Sequence, residues 1–238
     1  MRIILLTNDD GILADGLIRL ARAAQKHGEV WIVAPEQQMS AASHSLTLHQ
    51  PIDIREYEFP VRGVHAFSCS GTPADSVRVG SLNILPEKPD IVLSGINYGH
   101  NVATDIQYSA TVGAAFEASF QGFQAIAVSE GDGGLHEVTD HYLDLILSEL
   151  IDHRLPYGQV WNVNFPDVPL SSCNGIQWNR TVSPAIVYED RYEEESLPDG
   201  SRRFMVKGTF LEEAEEGTDF RALLDGYVSV GIVRNIGF

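Results

Sequence analysis

The sequence has few basic residues, and this shortage limits the partners that the protein can bind. Its 238 residues include 33 Asp and Glu but 16 Lys and Arg, which gives a formal net charge of −17 at pH 7. So acidic a surface repels phosphate backbones, which argues against a nucleic acid polymer as a partner. A phosphorylated small molecule remains acceptable, provided that a cation or backbone N–H groups neutralise its charge locally.

Cysteines and long apolar runs are also scarce. The two cysteines, Cys69 and Cys173, have no partner spacing, so they support neither a disulfide framework nor a zinc site. No apolar run approaches the roughly 18 residues of a membrane span, so we expect no membrane partner. The opening run MRIILLTNDDG has too short an apolar stretch for a secretory signal, and we therefore expect a cytoplasmic protein.

Strand and helix patterns alternate over the first two thirds of the chain. Short apolar runs are typical of strands that are buried on both faces of a parallel sheet. Between them, apolar residues recur at helical spacing, and Asp15 is placed to cap the first helix before Gly28 ends it. The alternation predicts an α/β fold with an open, mostly parallel sheet between two layers of helices. The predicted strands are residues 3–6, 30–34, 90–93, 125–128 and 160–165, and the predicted helices are residues 15–28, 111–120 and 142–151.

The chain changes character after about residue 166, where helical periodicity nearly vanishes. The turn sequence Leu-Pro-Asp-Gly-Ser at 197–201 lies between two strand-like runs, which predicts a β-hairpin arm. Glutamates cluster at 193–195 and 212–216, either as a solvated face or as an element that recruits a partner. The predicted hairpin strands are 186–192 and 203–210, and they are followed by one or two helical turns at 219–224 and a terminal strand at 227–233.

The first predicted strand ends in a turn that carries two adjacent carboxylates, Asp9 and Asp10, in the sequence Asn-Asp-Asp-Gly. Two carboxylates that are held close together repel each other unless a cation or a proton lies between them. A hard cation such as Mg²⁺, Mn²⁺ or Ca²⁺ suits these oxygen ligands. The alternative is a simple Asn/Asp/Gly turn that caps the next helix.

Two further loops follow predicted strands, and both belong to the same edge of the sheet because ligands bind outside the carboxyl ends of parallel strands. One contains Ser40, Ser43 and His44, and the serine hydroxyls can complete a metal shell or hold phosphate. The other contains Asn97, which offers an amide oxygen in the sequence Ser-Gly-Ile-Asn. Alternatively, these are an ordinary Ser-rich loop, a turn with glycine, and a histidine at the surface or in the core.

The start of the predicted third helix is a fourth candidate element. Its free N–H groups and dipole favour an anion, and Ser109 and Thr111 add hydroxyl donors. The alternative is an ordinary N-cap, which Ser and Thr supply routinely. The sequence contains no glycine-rich dinucleotide fingerprint, no Walker A sequence, no serine elbow of the α/β-hydrolases and no Asp-x-Asp-Gly of the haloacid dehalogenases.

Several sequence blocks together resemble the SurE (stationary-phase survival protein) family in order and spacing. They are ILLTNDDG, APEQQMSAASHSLTL, GTPADSV, PDIVLSGINYGHN, YSATVGAA, NVNFP and EGTDFRALLDGYVSV, and they span essentially the whole chain. The resemblance implies a three-layer, Rossmann-like catalytic core at 1–166. It also implies a C-terminal β-rich arm and oligomerisation segment at 167–238, which ends in a strand that returns to the core. The arm would be exchanged between subunits, giving a homodimer or homotetramer.

The same resemblance implies an activity. Members of the family are metal-dependent phosphatases of nucleoside 5′- and 3′-monophosphates, and some also act on short polyphosphate. We therefore expect one divalent cation per subunit, most simply Mg²⁺ or Mn²⁺, with Ca²⁺ as an alternative. A non-catalytic module that binds a nucleotide or a cation is the competing hypothesis. The metal ligands that the resemblance implies are Asp9, Asp10, Ser40 and Asn97, the residues on the phosphate side are Asn101, Ser109, Ala110 and Thr111, and Ser43 is a further candidate.

Catalysis would then depend on Asp9 or Asp10, which activates water or forms a phosphorylated intermediate, and on His44 as a proton donor to the leaving group. The sequence departs from the family at two glycines, since Ala41 and Ala110 stand where Gly is usual. An alanine adds a Cβ and loses easy access to positive φ. We therefore expect these two alanines to affect the substrate range and the rate more than the type of reaction.

Overall fold

The computed structural model describes residues 1–235, and residues 236–238 of the predicted C-terminal segment lie outside the described residues. Strands and helices alternate as far as residue 165, and strands dominate after it. In chain order the elements are β1 (Ile3–Thr7), α1 (Asp15–Ala24), β2 (Glu29–Pro35), β3 (Ile54–Glu56), β4 (His65–Cys69), α2 (Pro73–Val79), a π-helical turn (Gly80–Ile84), β5 (Ile91–Tyr98), a 3₁₀ turn (Ala103–Gln107), α3 (Ala110–Phe120), β6 (Gln124–Glu130), α4 (Glu137–Leu150), β7 (Gln159–Phe165), a 3₁₀ turn (Leu170–Ser172), β8 (Ile176–Arg180), β9 (Tyr188–Ser196), β10 (Arg202–Phe210), α5 (Asp219–Leu224) and β11 (Val228–Arg234).

Within residues 1–235, one large sheet of nine strands forms the centre of the molecule, in the order β3-β4-β2-β1-β5-β6-β7-β11-β8. The pairs β3–β4 and β7–β11 are antiparallel. The other neighbours in the sheet are parallel, which places the carboxyl ends of β1, β2, β5, β6 and β7 at one edge. The predicted α/β fold with a mostly parallel sheet is therefore confirmed.

Side chains alternate along each strand, so they point to both faces of the sheet, and helices bury both faces. On β1, Ile4 and Leu6 pack in one apolar cluster with residues of α1 and α4. Ile3 and Leu5 point the other way, into a cluster with residues of α2 and α3. A buried Leu or Ile contributes roughly 1.5–3 kcal/mol relative to an exposed one, so these two layers are a main source of stability.

The structure corrects the sequence-based assignment in several places. The sequence Ser94–Asn97 was predicted to be a loop, but β5 continues through it and resumes pairing with β6 at Asn97 after a register shift. Asp15 is the first residue of α1 and not its N-cap, which is Ala14 without a side-chain hydrogen bond. Strands β3, β4 and β8 and helix α2 were not predicted. Pairing with neighbouring strands stabilises β3, β4 and β8, although their own sequence patterns are weak.

The predicted hairpin is confirmed as β9 and β10, which pair only with each other within residues 1–235. Every residue of both strands is exposed, so the arm projects from the core. Strand β11 lies between β7 and β8 in the large sheet. The division of the chain at residue 166 remains a prediction, since the sheet takes strands from both sides of it.

No helix within residues 1–235 is both long enough and apolar enough to cross a membrane.

Candidate active site

The loops at the carboxyl edge of the sheet surround a cavity of about 550 Å³. This is the position where open α/β sheets usually bind ligands. Five of the residues predicted from the sequence line the cavity, and they come from four separate segments of the chain. These residues are Asp9, Ser40, Asn97, Asn101 and Ser109.

The turn after β1 holds Asp9 in a fixed, buried position. The side chain of Asn8 donates to the carbonyl of Gly11 at 2.9 Å, and the N–H of Met39 donates to the carbonyl of Asp9 at 2.7 Å. Gly11 has a φ of 98°, which glycine adopts without strain. Asp9 is 4% exposed, and its Oδ1 accepts a short hydrogen bond from the hydroxyl of Thr111 at the start of α3. The turn is thus joined to the helix that faces it.

The second carboxylate, Asp10, lies beside the first and is held by two donors. The N–H of Tyr98 donates to its Oδ2 at 3.0 Å, and Nε2 of Gln38 donates to its Oδ1 at 3.3 Å. The same Nε2 lies 3.0 Å from the hydroxyl of Ser40, so a single amide reaches both predicted ligands. Asp10 itself lines a neighbouring cavity of about 300 Å³, which shares Tyr98 with the larger one.

The two carboxylates have an electrostatic cost that a bound cation would remove. Burial raises the pKa of Asp9 to about 6, and the charge of Asp10 raises it as well, whereas the hydrogen bond from Thr111 acts in the opposite direction. Burial also raises the pKa of Asp10. Neighbouring buried carboxylates are therefore difficult to ionise together unless a positive charge lies near them.

The remaining donors suit a hard cation. The side chain of Asn97 donates from Nδ2 to the carbonyl of Gly99 at 2.6 Å, which leaves its amide oxygen as the atom that can bind an ion. Within residues 1–235 there is no group of three or more His, Cys, Asp or Glu side chains placed to bind a metal. The candidate set has two carboxylates, one hydroxyl and one amide oxygen, and ions such as Mg²⁺ complete such a set with water.

Helix α3 begins beside these donors. The hydroxyl of Ser109 caps the helix by accepting from the N–H of Val112 at 3.1 Å, and Ser109 also lines the cavity. The helix start therefore presents its positive dipole end to any anion bound there. Ala110 and Thr111 are fully buried and do not line the cavity. The Thr111 hydroxyl instead contacts Asp9, so its observed partner differs from the predicted phosphate.

Asn101 is fixed by a cluster of buried polar side chains that the sequence analysis did not identify. Its N–H donates to Oδ1 of Asn164 at 2.8 Å, and its Nδ2 donates to the hydroxyl of Ser129 at 2.8 Å. The carbonyl of Asn101 accepts from the side chains of Asn162 and Asn164. The available signal was the run Asn-Val-Asn in β7, which places two polar residues in the buried part of the strand.

Two predicted residues, Ser43 and His44, are not among the residues that line the cavity. The hydroxyl of Ser43 donates to the carbonyl of Gln107 at 2.8 Å. Nε2 of His44 lies 2.8 Å from Oε2 of the buried Glu117, and the imidazole stacks on Phe120 at 5.7 Å between ring centroids. These contacts hold the loop against α3, so a catalytic role for His44 and a phosphate-binding role for Ser43 remain predictions.

The outer half of the cavity consists of residues that the sequence analysis missed. Asp105 and Tyr108 come from the segment before α3, and Ile186, Tyr188 and Asp190 come from the base of the arm. Nothing in the local sequence connects two segments so far apart in the chain. Only the folded structure brings them to the same cavity.

The fold and the site together define an α/β protein with an oxygen-lined cation site beside an anion-binding helix start, which suits a phosphorylated ligand. Comparison with known proteins agrees with this class. The family model described as "Survival protein SurE" matches residues 4–186. Because this match covers more than half of the chain, the protein belongs to the SurE family, and the resemblance seen in the sequence is confirmed.

Individual relatives are similar over nearly their whole length. The chain is 37% identical over 230 residues to the 5′-nucleotidase SurE of Thermosipho africanus, with 95% of this chain and 89% of the relative covered. It is 36% identical over 232 residues to the 5′-nucleotidase SurE of a Thermoanaerobacter species, covering 95% and 90%. The crystal structure of the SurE protein from Aquifex aeolicus superposes with a TM-score of 0.82 at 34% identity, covering 98% of this chain and 93% of the other.

Proposed function

We propose that this protein hydrolyses nucleoside 5′-monophosphates to nucleoside and phosphate, with activity on 3′-monophosphates as a further expectation. The observation that carries the proposal is the convergence of Asp9, Ser40 and Asn97 on one cavity that also contains the start of α3. Its relatives in Thermosipho and Thermoanaerobacter carry the name 5′-nucleotidase, which supports the same reaction.

The reaction as proposed requires one divalent cation per subunit, Mg²⁺ or Mn²⁺ being favoured over Ca²⁺. Asp9, Asp10, Ser40 and Asn97 would hold it, because they supply carboxylate, hydroxyl and amide oxygens at the same edge of the sheet. When bound, such an ion neutralises charge on a phosphoryl oxygen and polarises the phosphorus.

The protein's own residues would position the substrate and activate the nucleophile. The hydroxyl of Ser109, the N–H groups at the start of α3 and the side chain of Asn101 would bind the phosphoryl oxygens. Thr111 would orient Asp9 through the hydrogen bond to its carboxylate. Positioning and electrostatics dominate phosphoryl transfer, so these contacts supply most of what the reaction needs. We favour attack by a water molecule that Asp9 or Asp10 activates, and trapping of a phosphorylated aspartate would refute this choice.

A turnover assay tests the proposal directly. AMP and p-nitrophenyl phosphate are incubated with the protein in Mn²⁺ or Mg²⁺ and then in excess chelator. We expect turnover that is lost in chelator and lost in Asp9→Asn. Asp53→Asn, at an exposed position that does not line the cavity, is the matched control and keeps full activity. A folded protein that binds AMP or Mn²⁺ without turnover would instead be the non-catalytic module.

We further propose that the arm joins two copies of the chain, as a homodimer or as a tetramer of two such dimers. The hairpin exposes Tyr192, Phe204 and Val206 to solvent on strands that have no third partner within residues 1–235. An isolated two-stranded hairpin is only marginally stable in water, so contact with a second copy would stabilise it. The cytoplasmic location remains a prediction from the sequence.

A further inference from the structure

Two carboxylates, Asp105 and Asp190, face the outer half of the cavity. Asp105 lies in the 3₁₀ turn before α3, and Asp190 lies near the start of β9. Within residues 1–235, neither side chain takes part in a hydrogen bond or an ion pair. Burial raises the pKa of Asp105, and the charge of Asp190 raises it further, because the two carboxylates are near each other. Their oxygens are therefore available to a ligand.

The cavity offers no fixed positive charge to balance them. None of the residues in the described chain that line it is Lys or Arg. His100 also lines the cavity, but its Nε2 lies 2.8 Å from the carbonyl of Phe165, and burial lowers its pKa, which favours the neutral imidazole. The inner end can hold a cation and an anion, whereas the charged side chains that the described chain places in the outer half are both acidic. Any negative charge that extends beyond the first phosphoryl group meets these carboxylates.

We propose that Asp105 and Asp190 make the site selective for substrates that carry a single phosphoryl group on a neutral body rich in hydrogen-bond donors. Carboxylates accept hydrogen bonds from sugar hydroxyls and amino groups, and they repel additional phosphates. Nucleoside monophosphates fit this requirement. Nucleoside diphosphates, triphosphates and inorganic polyphosphates do not, so short polyphosphate should be a poor substrate of this protein. It rests on the proposed phosphatase function.

The test compares kcat/KM for AMP, ADP and inorganic tripolyphosphate in Mg²⁺ for the wild type, Asp105→Asn and Asp190→Asn. Glu193→Gln removes a charge from the same strand at an exposed position outside the cavity, and it serves as the matched control. We expect the wild type to have a higher kcat/KM for AMP than for ADP. Each Asp→Asn change should lower the ratio of these two kcat/KM values by roughly tenfold, because it removes one like-charge contact with the second phosphate in partly screened surroundings. Glu193→Gln leaves the ratio unchanged.

Inhibition of AMP turnover by ADP provides a second measurement that does not depend on ADP hydrolysis. ADP should inhibit the Asp190→Asn variant at roughly tenfold lower concentration than it inhibits the wild type. If the cavity variants and the Glu193→Gln control have the same AMP-to-ADP ratio of kcat/KM and the same inhibition by ADP, the selectivity role of Asp105 and Asp190 is refuted. AMP turnover would then still support the proposed function. Wild-type hydrolysis of ADP and tripolyphosphate as efficient as that of AMP also overturns it. Absence of any AMP turnover refutes the proposed function itself.

Discussion

Ala41 adopts a backbone conformation that alanine tolerates poorly, and this gives a sharp prediction about stability. Its φ is 58°, in the left-handed region, whereas its neighbour Ala42 is not in that region. A residue with a Cβ loses roughly 1–2 kcal/mol there. Glycine avoids this loss but gives up roughly 0.5–1 kcal/mol of chain entropy on folding. The balance predicts that Ala41→Gly increases the free energy of unfolding by roughly 0.5–1 kcal/mol.

Ala42→Gly is the matched control, because it increases the backbone entropy lost on folding without relieving any strain. We expect it to decrease the free energy of unfolding by roughly 0.5–1 kcal/mol. For a chain of this length, each kcal/mol shifts the melting temperature by about 2–4 °C, so the two variants should move it in opposite directions by about 1–4 °C. Thermal unfolding followed by circular dichroism measures both. A fall in melting temperature for both variants would refute the reasoning from φ.

The remaining predictions concern the site and the arm. Thr111→Val removes the hydrogen-bond donor to Asp9 and should lower kcat in the AMP assay by roughly tenfold or more. A cooperative thermal unfolding transition should show that this variant is still folded. In chelator, raising the pH from about 4 to 7 should lower the free energy of unfolding, measured in urea, by roughly 2 kcal/mol more in the wild type than in Asp9→Asn. The pKa of Asp9 rises from 3.8 to about 6 on folding, so its stabilising proton is present below pH 3.8 and is lost as the pH passes 6. His44→Ala should change the pH–rate profile if His44 donates a proton, and an unchanged profile would dispose of that role. Deleting residues 188–210 should give a monomer in light scattering, and an intact oligomer would favour recruitment of another partner.

The sequence predicts the parts of the fold whose patterns are strong. The buried strands β1, β2, β6 and β7 are short, largely apolar runs, and the turn sequence of the hairpin strongly favours a reversal of the chain. Helix α2 was missed although Thr72 and Asp75 form a capping box and Pro73 lies in its first turn. Its signal occupies only a few residues, and the helix has just seven. Strand β8 was missed because it has only five residues, and its apolar–polar alternation, from Ile176 to Asn179, is too short to stand out.

The candidate site divides in a similar way. Asp9, Ser40, Asn97 and Ser109 could be placed together because each follows a strand or starts a helix at the same sheet edge. The hydrogen-bond partners of these side chains could not be predicted, because a sequence motif carries no information about distant residues that the fold brings into contact. The pairing of His44 with Glu117 is an example, because it joins residues from a loop and a helix 73 positions apart.

The position of β11 has a consequence for how the protein is made. This strand pairs with β7 on one side and with β8 on the other, so β8 cannot join the sheet until residues 228–234 have left the ribosome. Before then, the nascent chain presents the free backbone edge of β7 to its surroundings. Folding of the central sheet is therefore completed only after β11 has been synthesised, and a chain interrupted before this strand would be prone to aggregate.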